Sequence, residues 1–403
     1  MKLKKTLVAT LLATSAFHAF AAAPSIIDTS PTKPTVPCGM FTLVDQSTNK
    51  TLASDNENET TQIASLTKIM TAYITFNEVK NHLINLDDKV LISKNAWRTG
   101  GSRMFLNVGD TVTVDELLRG MLSVSGNDAA TALAEHIAGS TAHFADIMNQ
   151  YAKSLGMTNT VYGNPTGLPL TSEQKKDGVK EHSTSHDLAI LAEHVYSDFP
   201  EFAHYFNIKS FTYNNITQPN RNKLLFKDSG YEGMKTGFTD RAGYGVVTSF
   251  EKDGRRIIAV CLRAKSVPDR FAAADSLTMW GMNNYKLIKP VDNSKPITSL
   301  PVYGGTIDTI GVYPEKSLKF VIPRSITSND NVSIVVALDK NGDNAPAIFA
   351  PVQKDLVVGK LTVMRNGIEL GSTKLIVKDS VKDGGFVKRL TDKIKISVNK
   401  MLG

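Results

Sequence analysis

Ala64-Ser65-Leu66-Thr67-Lys68-Ile69-Met70-Thr71 is the stretch on which the reading of this 403-residue chain turns. From Ser65 onward, Ile69, Ala72, Tyr73, Phe76 and Val79 recur at spacings of three and four, the period of a helix. Just upstream, 41–45 and 51–53 read as two short strands joined by a polar turn. A serine and a lysine at i and i+3 share one helix face, so the Ser65 hydroxyl and the Lys68 amine can meet. A serine hydroxyl is a weak nucleophile until a base takes its proton, and a lysine serves once burial or a second cation favours its neutral form. The S-x-x-K pattern also occurs elsewhere, as at Ser30/Lys33, Ser47/Lys50 and Ser397/Lys400, which fall in a flexible lead-in, a polar turn and a basic tail.

Two further elements stand downstream in an order that chance rarely produces. Ser125-Gly126-Asn127 lies between helical patterns at 114–121 and 128–137. Its Ser and Asn can point into one cleft, one relaying a proton and the other bonding a substrate amide. Ser54-Asp55-Asn56 has a similar spelling but reads as a solvated acidic turn. Lys235-Thr236-Gly237 stands at the expected start of a strand. There Lys235 offers charge for a carboxylate, Thr236 a hydroxyl donor, and Gly237 room for a ligand to approach the backbone.

Helical patterns continue over 142–155 and 186–195, with turn signals at Asn164-Pro165 and Asp177-Gly178. A hairpin is expected from 243–250 and 256–262 across Lys252-Asp253-Gly254, then a helix over about 269–287. This is an α+β arrangement whose first and last segments complete one sheet. From 289 the pattern is strand-only (306–313, 318–321, 332–337, 356–364 and 374–377), with turns at Asn341-Gly342 and Asn366-Gly367. The expected organisation is therefore 1–21 a signal peptide, 22–37 a lead-in, 38–288 a catalytic domain, 289–378 an all-β domain and 379–403 a tail.

The net charge of +7 suggests nucleic acid only until it is located along the chain. Met1–Lys5 is basic, 6–20 is an apolar run too short for a bilayer, and Ala19-Phe20-Ala21 is a small-x-small cleavage pattern. Cleavage after Ala21 removes three lysines and leaves +4. The tail carries six basic residues against three Asp, which accounts for +3 of that. The nearly neutral body argues against a nucleic-acid partner. In the tail, Phe386, Leu390, Ile394, Val398 and Leu402 recur every four residues, as in a helix lying on an anionic membrane surface, although 393–399 also alternates as a strand would. Export permits a disulfide between Cys38 and Cys261; two separate buried thiols are the other reading.

The three motifs together are the signature of penicillin-binding proteins and class A β-lactamases. The chain resembles the low-molecular-mass penicillin-binding proteins that act as D-alanyl-D-alanine carboxypeptidases. The resemblance runs through Ala64–Thr71, Ser125–Ala130, Gly163–Leu168, Asn220–Asn222, Gly233–Gly237 and Ala242–Tyr244, and into the β region at 350–352, 358–363 and 367–371. It implies a penicillin-binding/β-lactamase-like fold, an antiparallel sheet plus a helical subdomain, followed by a small all-β domain.

It further implies that Ser65 attacks the penultimate D-Ala carbonyl of a peptidoglycan stem peptide. Lys68 would act as base, Ser125 and Asn127 would assist, and Lys235 and Thr236 would meet the terminal carboxylate. The N–H groups of Ser65 and Phe238 would form the oxyanion hole, with Arg270 and Arg221 near the substrate end. No cofactor or metal is expected, and β-lactams should act as inhibitors. Phe238 stands where several relatives have His, and His186 where Arg is usual.

Rival readings lack their motifs: E-x-x-L-N for a class A β-lactamase, G-x-S-x-G for a His-based triad and H-E-x-x-H for a zinc peptidase are all absent. Glu181, His182 and His186 have metal-pair spacing but read as solvated loop residues. A wall-binding morphology scaffold with little turnover, or a D,D-endopeptidase acting on crosslinks, are the alternatives.

Overall fold

The computed structural model describes residues 31–402 apart from 173, 175–177, 179, 228–229, 326–331 and 340–345, and side chains up to 398. The leader, the first part of the lead-in, Asp177, the Asn341-Gly342 turn and the Leu402 side chain lie outside the described residues. The chain divides into two compact units, Pro31–Asn284 and the segment from Tyr285 onward.

The first unit is built on a five-stranded sheet. Strands β1 (Met40–Asp45) and β2 (Lys50–Asp55) open it. Helix α1 (Lys68–Lys80) follows, then β3 (Lys89–Leu91), α2 (Lys94–Arg98), β4 (Thr111–Thr113), α3 (Val114–Ser123), α4 (Asn127–Ala138) and α5 (Thr141–Ser154). Next come α6 (Ser185–Asp198), the hairpin β5 (Ser210–Tyr213) and β6 (Ile216–Pro219), then β7 (Tyr231–Thr239), β8 (Gly243–Lys252), β9 (Arg255–Ala264) and α7 (Val267–Asn284).

The sheet order is β2-β1-β9-β8-β7, so the first strands pair with the last. Phe41 sits opposite Cys261 and Val44 opposite Ile258. Strand β1 is buried along its whole length because it is central in the sheet and covered on both faces. Helix α1 is buried from Lys68 to Phe76, so it runs through the core instead of lying on it. Helix α3 starts at a capping box, in which the Thr113 hydroxyl accepts from Glu116 N–H and the Glu116 carboxylate accepts from Thr113 N–H.

Helix α7 stops at Asn284, three residues before the expected end, because Tyr285–Val291 is already a strand of the second unit. Lys235-Thr236-Gly237 lies in the middle of β7, not at its start, since the strand begins at Tyr231. Cys261 is buried, Cys38 is partly exposed, and both are free thiols here; burial, and then the neighbouring Cys38, raise the Cys261 pKa well above its ordinary value.

The second unit comprises β10 (Tyr285–Val291), β11 (Thr298–Tyr303), β12 (Thr309–Pro314), β13 (Leu318–Pro323), β14 (Val332–Leu338), β15 (Ile348–Phe349), β16 (Val357–Arg365) and β17 (Ile368–Val377), then α8 (Gly385–Leu402). Its main sheet runs β14-β16-β17-β12-β11-β15 over a core that includes Val302, Val312, Leu361, Val363 and Leu375. Asn366 (φ 49°) and Gly367 (φ 82°) join β16 to β17, both in the left-handed region that a two-residue hairpin turn requires. The strand expected from 306 begins at Thr309, and β11, which contains Pro301, was concealed by that proline.

The tail is a helix, which removes the strand alternative. Phe386, Leu390, Ile394 and Val398 are exposed along it. Asp392, on its other side, is buried and accepts hydrogen bonds from Gly304 N–H and the Lys388 ammonium.

At the end of β1 the buried Asp45 carboxylate accepts from Arg255 Nε of β9 at 2.6 Å. Removing one partner strands the other charge away from water, which costs about 3 kcal/mol or more. Asp45→Ala should therefore lower the urea midpoint of the first unit's unfolding by that equivalent; an unchanged midpoint would show that the pair contributes nothing.

Candidate active site

Ser65 lies in a 3-10 turn, Ala64–Thr67, that leads directly into α1. With three residues per turn, positions i and i+3 eclipse, which brings Lys68 under Ser65 more closely than an α-helix would. Lys68 Nζ stands 3.0 Å from Ser65 Oγ. It also donates to Asn127 Oδ1 at 2.6 Å and to the Thr166 carbonyl at 2.6 Å. Lys68 is fully buried, and its pKa falls to about 7. Burial is the main cause; Arg221 lowers it further, while Asp128 and Glu181 oppose the fall.

Two acceptors that can only accept fix two of the three positions around Nζ. The third faces a hydroxyl that can also donate. Once the ammonium loses a proton, its lone pair is directed at Ser65 Oγ. The site is thus arranged for proton transfer out of the serine hydroxyl.

The loop between α3 and α4 and the first residue of α4 supply the second pair. Ser125 adopts φ 65°, an uncommon conformation for a residue with a side chain, and Ala64, just before Ser65, adopts φ 48°. Ser125 Oγ accepts from Lys235 Nζ at 2.9 Å. Asn127 is held at both ends of its amide, since Nδ2 donates to the Gly100 carbonyl at 2.7 Å while Oδ1 accepts from Lys68. A Cβ on Gly101 would meet Asn127 Nδ2 at 2.7 Å, so that position must stay glycine. The Asn127 amide thereby orients Lys68.

Sequence reasoning passed over Asp128. Its buried carboxylate accepts from the N–H groups of Met104, Phe105 and Leu106, pinning the 103–106 segment beside Asn127. The available signal was an acidic residue in the first turn of a helix.

On β7, Lys235 is buried and its pKa is pushed well down, by burial first and then by Lys68, Arg221 and Arg270. Thr236 is buried beside it. A Cβ at Gly237 would come within 2.7 Å of the Ile63 carbonyl. The backbone leading into the Ser65 turn thus approaches Gly237 closely enough to demand glycine. The Phe238 side chain is 47% exposed and stacks on Tyr244 at 4.2 Å between ring centroids.

Arg270 is buried, donates through Nη1 to the Gly237 carbonyl at 3.2 Å and sits over the Tyr244 ring. Its Nε has no hydrogen-bond partner among the described residues, and burial lowers its pKa to about 10. Arg221 is exposed and donates to the Val124 carbonyl at 3.1 Å, next to Ser125. Lys68, Lys235, Arg221 and Arg270 thus form one cationic group, which favours an anionic ligand.

Glu181 was read as a solvated loop residue; the structure places it partly buried, within electrostatic reach of Lys68. His186 contacts Asp187 instead of a metal site, and among the described residues no group of three His, Cys, Asp or Glu could hold a metal ion. Ser54-Asp55-Asn56 is occupied elsewhere, with Asn56 donating to the Gly39 carbonyl and Asp55 paired with Lys33.

Comparison with known proteins identifies the family of the chain. Residues 27–266 match the family model described as D-alanyl-D-alanine carboxypeptidase, and 285–383 match the C-terminal domain of penicillin-binding protein 5. The D-alanyl-D-alanine carboxypeptidase DacC of Escherichia coli is 35% identical over 92% of this chain and 90% of its own length. The D-alanyl-D-alanine carboxypeptidase DacA of Haemophilus influenzae is 32% identical over 98% of each chain. Among solved structures, penicillin-binding protein 5 from Haemophilus influenzae superposes with a TM-score of 0.74 at 32% identity, covering 88% of this chain and 100% of that one. Penicillin-binding protein D2 from Listeria monocytogenes in its ampicillin-bound form superposes with a TM-score of 0.55 at 30% identity over 61% of this chain and 98% of that one. The chain belongs to the D-alanyl-D-alanine carboxypeptidase family of low-molecular-mass penicillin-binding proteins.

Proposed function

We propose that Ser65 is the nucleophile of this serine D-alanyl-D-alanine carboxypeptidase, with Lys68 as its base, and that the substrate is the pentapeptide stem of peptidoglycan. The observation that carries this reading is the placement of Lys68 Nζ between two carbonyl acceptors and Ser65 Oγ. Lys68 takes the proton as Ser65 Oγ bonds to the carbonyl carbon of the penultimate D-Ala. The oxyanion that forms is received by the N–H groups of Ser65 and Phe238, each donor contributing on the order of 3 kcal/mol. The tetrahedral centre collapses, the peptide bond breaks, and the proton passes through Ser125 to the departing D-Ala amine. Water then attacks the ester and frees Ser65.

Lys235, Thr236 and Arg270 hold the terminal carboxylate, with Arg221 adding to the field. A β-lactam acylates the same serine, but its leaving amine remains tethered to the acyl group, so hydrolysis is slow. The D-alanyl-D-alanine endopeptidase of Escherichia coli is 32% identical over 64% of this chain, which keeps crosslink cleavage as a second reaction of the same site.

The chain is exported by its signal peptide, which is cleaved behind Ala21, and works on the outer side of the cytoplasmic membrane. Helix α8 rests on the anionic membrane surface through Phe386, Leu390, Ile394 and Val398. Among the described residues no helix is long and apolar enough to cross a membrane.

Four outcomes test this reading. Ser65→Ala should release no D-Ala from a pentapeptide and take up no labelled penicillin; D-Ala release equal to that of the parent protein would remove Ser65 from the mechanism. The acylation rate should rise with pH through an apparent pKa near 7, because only neutral Lys68 can accept the proton. A rate that is flat from pH 5 to 9 would exclude Lys68 as the base. Arg270→Ala should raise KM for the peptide by roughly tenfold with a smaller change in kcat, as expected for a lost charge-assisted hydrogen bond. Replacing Leu390 and Ile394 with Asn should release the protein from anionic vesicles, and retention equal to the parent would contradict the surface role of α8.

A further inference from the structure

Glu181 lies on the segment just before α6, where the main chain bridges Thr61 to Ser183 and Val161 to His182. Its carboxyl makes two long contacts, one from the Thr67 hydroxyl at 3.4 Å and one from Asn164 Nδ2 at 3.5 Å. Both neighbours belong to the machinery around Lys68. Thr67 is the residue before it in the nucleophile turn. Asn164 organises the loop that carries its acceptor, since Asn164 Oδ1 accepts from Thr166 N–H, Thr166 Oγ1 and Gly167 N–H. That loop is pressed against the nucleophile turn so closely that a Cβ on Gly167 would overlap the Ala64 carbonyl, and Thr71 Oγ1 donates to the Pro165 carbonyl alongside.

We propose that Glu181 is a positioning residue for the reaction, acting through Lys68: its charge sets the pH at which Lys68 is available as a base. The proposal rests on Lys68 being that base. A carboxyl with two long contacts and little water favours its neutral form, and burial raises the Glu181 pKa to about 7, the same value to which Lys68 falls. Two facing groups that titrate together hold one proton between them over a range of pH. When Lys68 receives the serine proton it becomes cationic, and ionised Glu181 stabilises that cation across the seam. The other charged groups facing Lys68 are Asp128 from α4, Arg221 from the segment before β7, and Lys235 from β7 itself. Glu181 is faced in addition by the phenol of Tyr162. Of the two carboxyls that favour the Lys68 ammonium, Asp128 is engaged by several backbone N–H groups, whereas Glu181 is held loosely. The Glu181 contacts go to Thr67 and Asn164 and not to Ser65, so it acts on the base and not on the substrate.

The test is the pH dependence of acylation by a fluorescent penicillin, compared between the parent protein and Glu181→Gln, which keeps the side-chain shape. Removing the negative charge should move the acid limb of the profile to lower pH by about half a unit or more, so that the variant retains more of its plateau rate at pH 6. A uniform loss of rate with an unmoved limb would overturn the proposal and leave Glu181 a purely structural residue. Thr67→Val, which removes one of the two contacts but keeps the charge, should leave the limb where it is; a shift equal to that of Glu181→Gln would also overturn it. Failure of the parent reading is distinct: with no penicillin adduct on Ser65 there is no acid limb to compare.

Discussion

The interaction on which the rest of the structure depends is the three-way hold on the Lys68 ammonium. A fully buried lysine is costly unless its protons are matched, and here Asn127, the Thr166 carbonyl and Ser65 match all three. These three partners come from three separate parts of the first unit: the turn before α1, the start of α4 and the 164–168 loop. Much of the helical layer can be understood as the means of bringing them to one point. Asp128 ties the 103–106 segment beside Asn127, Gly101 leaves space for its amide, and Gly167 lets the second loop reach the nucleophile turn.

The sheet provides the opposing wall. Gly237 allows β7 to lie directly against Ile63 and Leu66, so the Lys235 side chain reaches Ser125 across a narrow cleft. Burial, and after it the neighbouring positive groups, lower the pKa of both lysines at that cleft, with Arg221 acting on each. On the proposed mechanism, a substrate carboxylate would relieve the positive field on one side while leaving Lys68 free to accept a proton on the other. The field that favours binding of an anion would thus also ready the proposed base. Uncommon backbone conformations at Ala64 and Ser125 flank the two hydroxyls, which fits a site shaped for chemistry more than for local ease.

Much of this was legible in the sequence because chemistry at this site needs few residue types at fixed intervals. Ser65 and Lys68 announce themselves by spacing, and Asn366-Gly367 by the left-handed turn that only such residues accept readily. The contributions that were not legible come from tertiary packing. Lys235 looked like the start of a strand because the residues before it carry no strand pattern, yet β7 begins at Tyr231. Gly237 looked like a ligand contact, whereas the backbone it accommodates belongs to a turn far away in sequence. Glu181 read as a solvated loop residue because its neighbours in sequence are polar; only folding places it beside Thr67. The end of α7 was misplaced for a related reason, since 285–291 continues an apolar pattern that suits strand and helix alike.

The central claim is that Lys68 is neutral enough near physiological pH to accept a proton from Ser65. The most direct measurement is an NMR titration of the Lys68 side chain in protein labelled at the lysine ε-carbon, with Lys68→Arg used to assign the resonance. The account predicts a midpoint at about 7, well below the ordinary lysine value. A resonance that does not titrate until the range of an exposed lysine, about 10.4, would contradict it.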